Sequence, residues 1–261
     1  MRALSTAGSG MLAQQTNVDV IANNIANMNT TGFKRQRAEF QDLLYQQERR
    51  PGASTAGSEA LLPSGIQVGS GVRTAGIYRI NEQGTLQKTD NVYDVAIQGD
   101  GYFQVQLAGG EIAYTRAGSF QISDQGELVT TDGYRVLPGI TVPQNVVGVV
   151  ISKTGEVQVK LADSPDLQTV GQFELARFIN DAGLEAMGGN LLRATTASGQ
   201  PVTAVAGEVG FGSIQQGFIE SSNVNPVAEI TALISAQRAY EMNSRVIRTA
   251  DEMLSTTNQM R

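Results

Sequence analysis

The 261-residue chain contains no cysteine, no histidine and no tryptophan. Without cysteine it has no thiolate nucleophile, no disulfide and no sulfur ligand for a metal. Without histidine it lacks the side chain that most often transfers protons near neutral pH and the commonest zinc ligand. Catalysis would depend on other nucleophiles, and no Ser-x-x-Lys pattern supplies a lysine to activate a serine. We therefore expect a protein that is not an enzyme and has no cofactor, no metal and no small-molecule substrate.

Long apolar runs and net positive charge are also missing. The longest apolar stretch, residues 146–151, is far shorter than the ~20 residues that a membrane-spanning helix needs. The first residues carry no apolar segment typical of a cleavable signal peptide. The net charge of −6 disfavours nucleic-acid binding, which requires a basic face. We expect a chain that is not inserted in a membrane and binds no nucleic acid.

Glycine and proline are absent from residues 11–31 and 227–261, whereas 26 of the 29 glycines lie between Gly52 and Gly217. Two helical ends flanking a turn-rich middle are therefore predicted. In the first end, residues recur at alternating three- and four-residue spacing with one polar exception, which is typical of a coiled-coil seam. The seam consists of Leu4, Ala7, Met11, Gln14, Val18, Ile21, Ile25 and Met28. The helix is predicted to stop at residues 29–32, where Asn and Gly favour the left-handed conformation.

The second helix is predicted to begin at Asn225-Pro226, because asparagine caps helices and proline suits the first helical position. It runs to the C-terminus and carries a stripe at the same spacing, wide enough for more than one partner helix. The principal members of the stripe are Met242, Val246, Ile247, Ala250, Met253 and Leu254. At ~1.5 Å per residue the two helices would be ~40 and ~50 Å long, too long to lie on a small sheet domain.

Between the helices, short apolar or alternating runs predict β-strands. They lie at residues 92–97, 102–107, 112–115, 127–130, 146–151, 157–160 and 173–178. Asp100-Gly101, Gly109-Gly110 and Asp132-Gly133 are typical of hairpin turns. The predicted fold class is α+β, with long N- and C-terminal helices in a coiled-coil inner domain and a central all-β outer domain.

Several polar groups could form a site but fit a structural role better. Residues 99–101 are glycine-rich, yet the helix and lysine of a phosphate loop do not follow, so a tight turn is expected. The basic run 34–37 is followed by acidic residues, which favours a solvated or interfacial face. The enzymatic alternative is a glycan hydrolase that uses a carboxylate pair such as Glu127 and Asp132.

The first helix carries amides and hydroxyls, rather than lysine and glutamate, outside its seam. A solvent-exposed helix usually carries charge, whereas amides can pair with each other when copies of the helix surround it. This composition favours polymerisation over a monomer in which the two helices merely pair. A secreted β-rich adhesin or fibre subunit is an alternative class, although it would not need heptads at both ends.

Several stretches resemble the family of bacterial flagellar rod and hook proteins. Residues 22–34 (ANNIANMNTTGFK) are similar to its N-terminal signature, and residues 222–254 resemble its closing motif. The matching positions include Asn23, Asn24, Asn27, Gly32, Phe33, Gln237, Arg238 and Tyr240. Residues 99–103 and 114–120 are similar to motifs of the family's β domain, so the resemblance covers essentially the whole chain.

Within that family, the length and residues 62–72 are most similar to the distal rod members. The larger proximal rod subunit and a hook-type axial protein are the alternatives. The resemblance implies a hollow helical tube that crosses the periplasm and transmits torque from the motor to the hook. It implies subunits exported by the flagellar type III apparatus without a cleaved signal peptide. The implied partners are further copies of the chain, the proximal rod protein, the hook protein, the rod cap and the peptidoglycan-ring and outer-membrane-ring proteins.

The expected domain organisation follows from these observations. Coiled-coil helices over residues 1–32 and 225–261 together form the inner tube domain. Residues 33–72 form an extended connection, and residues 73–224 form the β-rich outer domain. The glycine-, serine- and proline-containing part of 46–72 is expected to be ordered by neighbouring subunits and to stiffen the tube.

Overall fold

The computed structural model describes residues 2–49, 65–162 and 166–259. It confirms an α+β fold, with a long helix towards each end of the chain and a β-rich middle. The helices are α1 (Arg2–Ala26) and α2 (Pro226–Gln259), with a short 3-10 helix at Asp181–Gly183. The strands are β1 (Gln36–Asp42), β2 (Tyr45–Arg49), β3 (Ile66–Gly69), β4 (Val72–Arg79), β5 (Leu86–Lys88), β6 (Val95–Gln98), β7 (Tyr102–Gln106), β8 (Ile112–Thr115), β9 (Phe120–Ile122), β10 (Leu128–Thr130), β11 (Arg135–Val136), β12 (Val146–Ile151), β13 (Glu156–Leu161), β14 (Leu167–Gln172), β15 (Glu174–Arg177), β16 (Glu185–Gly188), β17 (Leu191–Arg193), β18 (Val202–Val205), β19 (Ser213–Gln216) and β20 (Phe218–Glu220).

The chain divides into two compact units. The first, called here the helix unit, comprises Met1–Ile25, Gln36–Tyr78 and Asn225–Arg261, and the second, the β unit, comprises Ala26–Arg35 and Arg79–Val224. The helix unit contains α1 and α2 together with the two-stranded sheets β1–β4 and β2–β3. Residues 50–64 of the expected connection at 33–72 lie outside the described residues, and most of its described residues form strands of the helix unit.

Helix α1 ends at Ala26, before the predicted stop at residues 29–32. Asn27 begins a turn, because its carbonyl oxygen accepts the Thr30 N–H at 3.2 Å and its Oδ1 accepts the Thr30 hydroxyl at 3.1 Å. Met28 lies in this turn. The prediction that the helical seam continues through Met28 is therefore wrong.

Helix α2 begins where the sequence predicts. Asn225 Oδ1 accepts the N–H groups of Val227 and Ala228 at 3.1 and 3.2 Å, and Pro226 occupies the first helical position. The Asn225 carbonyl accepts the Glu229 N–H at 3.0 Å, which starts the helical hydrogen bonds. Over the described residues, no helix is both long and apolar enough to cross a membrane.

The β unit is built around a nine-stranded sheet. Its main path runs β16-β17-β8-β7-β11-β10-β9, while β15 pairs with β7 and with β18. The strands β12, β13 and β14 form a second sheet, and β6–β19 and β5–β20 form two pairs. The centre of the core contains Phe103, Phe120 and Phe173, which are fully buried and in ring contact with centroids 5.1–6.1 Å apart.

All seven strands predicted in the middle are confirmed, with boundaries that shift by up to three residues. Gly109-Gly110 joins the paired strands β7 and β8, and Asp132-Gly133 joins β10 and β11, so both hairpins are confirmed. The hairpin at Asp100-Gly101 is wrong, since β6 pairs with β19 and not with β7. Gly99 and Gly101 have φ of +108° and +131°, which lets this turn pass from one sheet to another.

We predict that Gly32→Ala destabilises the β unit. Gly32 has φ of +70°, and a Cβ atom there would lie 2.7 Å from the backbone nitrogen of Ala117. The left-handed conformation alone costs a residue with Cβ about 1–2 kcal/mol, and the contact adds to it. Chemical unfolding of the full chain, followed by tyrosine fluorescence, measures the loss. Gly148→Ala is the control, because no heavy atom of the described chain lies within 4 Å of its Cβ position; equal stability of the two variants would contradict the prediction.

Candidate assembly surfaces

Helices α1 and α2 pair in an antiparallel direction within the helix unit. Asn24 Nδ2 donates to Glu229 Oε2 at 3.1 Å. At the other end, a Cβ atom on Gly10 would lie 2.9 Å from Nδ2 of Asn243. The two contacts are separated by 14 residues on both helices, from 10 to 24 and from 229 to 243. Fourteen residues are two heptads, so the spacing fits a seam that repeats every ~3.5 residues.

The buried face of α1 overlaps the predicted seam only in part, because Ala13, Val20 and Asn24, which lie outside the seam, are buried together with Ala7 and Ile21. The buried seam residues of the two helices are Ala7, Ile21 and Ala250, and the half-buried ones are Leu4, Met11, Gln14, Val18, Ile25, Ile247 and Leu254. Ile247, Ala250 and Leu254 form the inward face of α2, which is one edge of the wide stripe that the sequence predicts. The other edge of the stripe points away from α1.

Asn24 joins three elements of the helix unit. Its Nδ2 donates to the Gln36 carbonyl at 2.8 Å as well as to Glu229, and its Oδ1 accepts the Gln36 N–H at 2.9 Å. The side-chain amide thus satisfies both backbone groups of the first residue of β1. Asn24 and Glu229 are each 1% exposed, so the family-like motif places a fully buried amide in the helix interface. The adjacent Asn23 is exposed.

The outer patch of α2 consists of Met242, Val246 and Met253, which expose 61%, 47% and 59% of their surface. Their spacing of four and seven residues places them on one side of the helix. The first three turns of α2 add Val227, Ile230 and Ile234, which are also exposed. Single exposed apolar residues are ordinary, but rows of them along a helix are typical of surfaces that contact another protein.

A concavity lies between the two helices on another side of the helix unit. It has a volume of about 520 Å³ and is lined by Gln15, Val18, Gln237, Tyr240 and Glu241. Two of the motif positions, Gln237 and Tyr240, therefore border an open groove. Their neighbour Arg238 is exposed. The groove is lined by apolar, amide and acidic side chains and could accept a side chain from a third helix.

Strands β2 and β3 form a two-stranded ribbon that is exposed along almost its whole length. Tyr45, Ile66 and Val68 expose 54%, 48% and 36% of their surface. A two-stranded ribbon is marginally stable by itself in water. Its exposed apolar side chains therefore make it a second candidate surface for contact with another chain.

A buried ion cluster holds the motif segment 26–35 to the rest of the β unit. Glu220 is 1% exposed and accepts from Lys34 Nζ at 2.5 Å, Arg116 Nε at 2.5 Å and the Gly84 N–H at 2.9 Å. The Glu220 carbonyl also accepts the Gly32 N–H at 2.8 Å, and the Phe33 N–H closes a turn onto Thr30. The sequence identifies Lys34 and Arg116 only as motif positions. Burial of both cations requires a counter-charge, and this requirement is the signal that could have pointed to Glu220.

Arg116 also fixes the turn at 99–101. Its guanidinium donates to the carbonyl oxygens of Ile97, Gly99 and Gly101. Lys34 donates to the Glu82 carbonyl at 2.7 Å and is 8% exposed. The expectation that the basic run 34–37 forms a solvated or interfacial face is therefore wrong for Lys34, because Glu220 offsets the desolvation of its charge.

The charges around Glu220 favour its ionised form. Burial by itself would raise the pKa of Glu220, but the charges of Arg116 and Lys34 and their hydrogen bonds outweigh it, so that the pKa lies below its usual value. Burial lowers the pKa of Lys34, and Glu220 counters part of that effect. The cluster is therefore a charged one at neutral pH.

Of the two carboxylates proposed for an enzymatic alternative, Glu127 has a structural partner. Glu127 Oε1 lies 2.9 Å from Arg135 Nη2. Asp132 lies in the turn between β10 and β11. The ion pair with Arg135 gives Glu127 a structural role within the β unit.

Comparison with known proteins gives consistent matches along the chain. Three family models match: flagella basal body rod protein over residues 4–34, flagellar hook protein FlgE/F/G D1 domain over 96–159, and flagellar basal body rod FlgEFG protein C-terminal over 215–260. The flagellar basal-body rod protein FlgG of Caulobacter vibrioides is 60% identical over 100% of both chains. FlgG of Agrobacterium fabrum is 50% identical over 99% of both chains. FlgF of Caulobacter vibrioides is 36% identical over 96% of this chain and 94% of its own.

We predict that Glu220→Gln destabilises the β unit by about 3–5 kcal/mol at pH 7, the usual loss when one partner of a buried ion pair is removed. Because folding lowers the pKa of Glu220, its stabilising contribution is complete above the unfolded value of about 4.3 and is lost as the pH falls through the folded value. The difference between the variant and the wild type should therefore shrink in acid.

Urea unfolding of the full chain between pH 7 and pH 3 measures this difference. Glu185→Gln is the matched control, since Glu185 forms an exposed ion pair with Arg193 and should change stability little at any pH. A difference for Glu220→Gln that is small at pH 7, or that stays constant down to pH 3, would contradict the assignment.

Proposed function

The chain belongs to the flagellar basal-body rod protein family, and we propose on this basis that it is the structural subunit of the distal rod and polymerises into a hollow helical tube. The tube transmits torque from the motor to the hook. The function is mechanical, so the residues that matter are those that hold subunits to each other.

The observation that carries the assembly mechanism is the outer patch of α2. Met242, Val246 and Met253 present contiguous apolar surface beside the inward seam, and burying it against another chain removes that surface from water. We assign the covering partner to a second copy of this chain. A helix with seams on two sides suits a tube, in which each subunit has neighbours on both sides.

The helix unit then forms the coiled-coil inner domain of the tube, and the β unit forms its outer domain. The two-heptad spacing between the contacts at Gly10 and Asn24 supports a coiled-coil geometry for the pair α1–α2. The groove bordered by Val18 and Tyr240 would accept a helix side chain of a neighbouring subunit. Stiff lateral contacts of this kind, repeated around a tube, are what torque transmission requires.

The ribbon β2–β3 supplies a further contact between subunits. It is exposed and apolar in the isolated chain, and an added neighbour would bury Tyr45, Ile66 and Val68. The segment 46–72, which contains most of this ribbon, stiffens the tube by joining neighbours outside the helical layer.

The remaining partners follow from the position of a distal rod. They are the proximal rod protein at one end, the hook protein at the other, the rod cap during growth, and the peptidoglycan-ring and outer-membrane-ring proteins around it. The tube crosses the periplasm, and its subunits are exported without a cleaved signal peptide.

The alternative is the larger proximal rod subunit or a hook-type axial protein of the same flagellum. The much higher identity to FlgG than to FlgF of a single organism favours the FlgG type.

We predict that Val246→Asp prevents polymerisation without unfolding the subunit. The position is 47% exposed in the isolated chain, so an aspartate there can stay hydrated. In the tube the charge would be buried without a partner, at a cost of several kcal/mol. The critical concentration for polymerisation should rise at least about tenfold, which corresponds to ~1.4 kcal/mol. Sedimentation of the purified protein measures it.

Ser255→Asp is the control for Val246→Asp. It adds the same charge nine residues further along α2, on the opposite side of the helix and at an exposed position. Normal polymers of Val246→Asp, or equal loss in both variants, would contradict the assignment of the outer patch.

Ile21→Asp should have a different effect. Ile21 is buried in the predicted seam, so a charge there separates α1 from α2 within one subunit. We expect loss of helical circular dichroism together with loss of polymerisation, while tyrosine fluorescence still reports a folded β unit. Polymers of normal yield from this variant would disprove the seam.

A further inference from the structure

The contact between Asn24 and Glu229 is a fully buried polar contact of the helix pair, with both residues 1% exposed. We propose that this contact sets the register of the pair, that is, which residue of α1 lies opposite which residue of α2. Asn24 and Glu229 are positioning residues in this proposal. They act on the helix pairing and, through it, on the surface that another copy of the chain meets.

The apolar part of the interface discriminates poorly between registers. The inward face of α2 repeats alanine, with Ala236 and Ala250 buried and Ala232 and Ala239 half-buried, and it also carries the half-buried Leu233, Ile247 and Leu254. A slip by one heptad would put Ala239 in the place of Ala232 and would keep the three-and-four spacing. The same slip would put Leu254 in the place of Ile247, so packing at these positions provides little preference for either arrangement.

The contact between Asn24 and Glu229, in contrast, distinguishes one register from another. The amide of Asn24 is held by both backbone groups of Gln36, so its orientation does not depend on which residue of α2 lies opposite. After a slip by one heptad, Asn24 would face Ala236, and Glu229 would lose the amide that donates to it. Losing one hydrogen bond to a buried carboxylate is costly, whereas exchanging one alanine contact for another is not. Fixing the register is the best-supported role of a single polar contact in a helical seam.

The register has a consequence for assembly, and this part of the inference rests on the proposed function. A slip of seven residues would move the outer patch of α2 along α1 by about 10 Å. Copies with mixed registers would present Met242, Val246 and Met253 at different heights and could not form one regular lattice. A single register makes every subunit equivalent, as a helical assembly requires.

Disulfide mapping in the full chain tests the register directly, because the chain contains no cysteine of its own. Gly10→Cys with Asn243→Cys reports the observed register. Gly10→Cys with Ala236→Cys, and Gly10→Cys with Ala250→Cys, report slips by one heptad in either direction. In the observed register these last pairs lie about 10 Å apart along the helix, too far for a disulfide. Dilute monomer is oxidised mildly, and the yield of intramolecular disulfide is read from a non-reducing gel.

With native residues at 24 and 229 we expect a disulfide in the first pair and at least tenfold less in the other two. In the background of Asn24→Leu with Glu229→Leu, the first pair should lose yield several-fold and at least one slipped pair should gain it. Exclusive cross-linking of the first pair in this background would overturn the inference. Loss of cross-linking in all three pairs would overturn it too, since the contact would then be needed for pairing itself and not for register.

A second variant tests the contact without apolar replacement. Asn24→Asp places a carboxylate beside Glu229 and should lower the yield of the first pair, and adding Glu229→Gln should restore it by supplying an amide donor. Failure of this rescue would count against the proposal.

Polymerisation is measured separately by sedimentation. If the register depends on the contact but no polymer forms, the proposed function fails alone, and if polymers form but the register is unchanged in the leucine background, the register inference fails alone.

Discussion

The antiparallel pairing of α1 with α2 joins two segments that are 205 positions apart at Asn24 and Glu229. Closing so long a loop costs conformational entropy, and the cost has to be offset by burial along both helices. The pairing determines which surfaces of the helix unit are buried and which are exposed. It buries the contact between Asn24 and Glu229, it leaves the outer patch of α2 uncovered, and it fixes the heights at which that patch is presented. A chain that failed to pair its ends would lose both the interior and the exterior surface of this unit.

The β unit depends on a different principle, the satisfaction of buried charge. Glu220 forms ion pairs with Lys34 of the motif segment 26–35 and with Arg116 of the motif at 114–120. Arg116 in turn donates hydrogen bonds to the carbonyl oxygens of the turn at 99–101. Residues that resemble separate family motifs in the sequence therefore meet in one cluster. Their common feature is a structural contact within the subunit.

The sequence predicts the local features of this fold well. The start of α2 follows from an asparagine cap and a proline, and seven strands follow from short apolar runs bounded by turn residues. Strand partners do not follow, because pairing depends on contacts between distant segments. Asp100-Gly101 has the composition of a hairpin, but it connects two sheets. The cluster at Glu220 was missed for the same reason, since its partner Lys34 lies 186 positions earlier. Periodicity likewise identifies the apolar stripe of α2, but it cannot distinguish the residues that meet α1 from those that α1 leaves exposed.

The central claim is that the exposed apolar surface of the helix unit joins copies of the chain into a tube. Negative-stain electron microscopy of the purified protein over a range of concentrations is the most direct measurement. The account predicts dispersed particles at low concentration and, above a threshold, hollow tubes of uniform diameter. Dispersed particles at every concentration, or only amorphous aggregates, would contradict it.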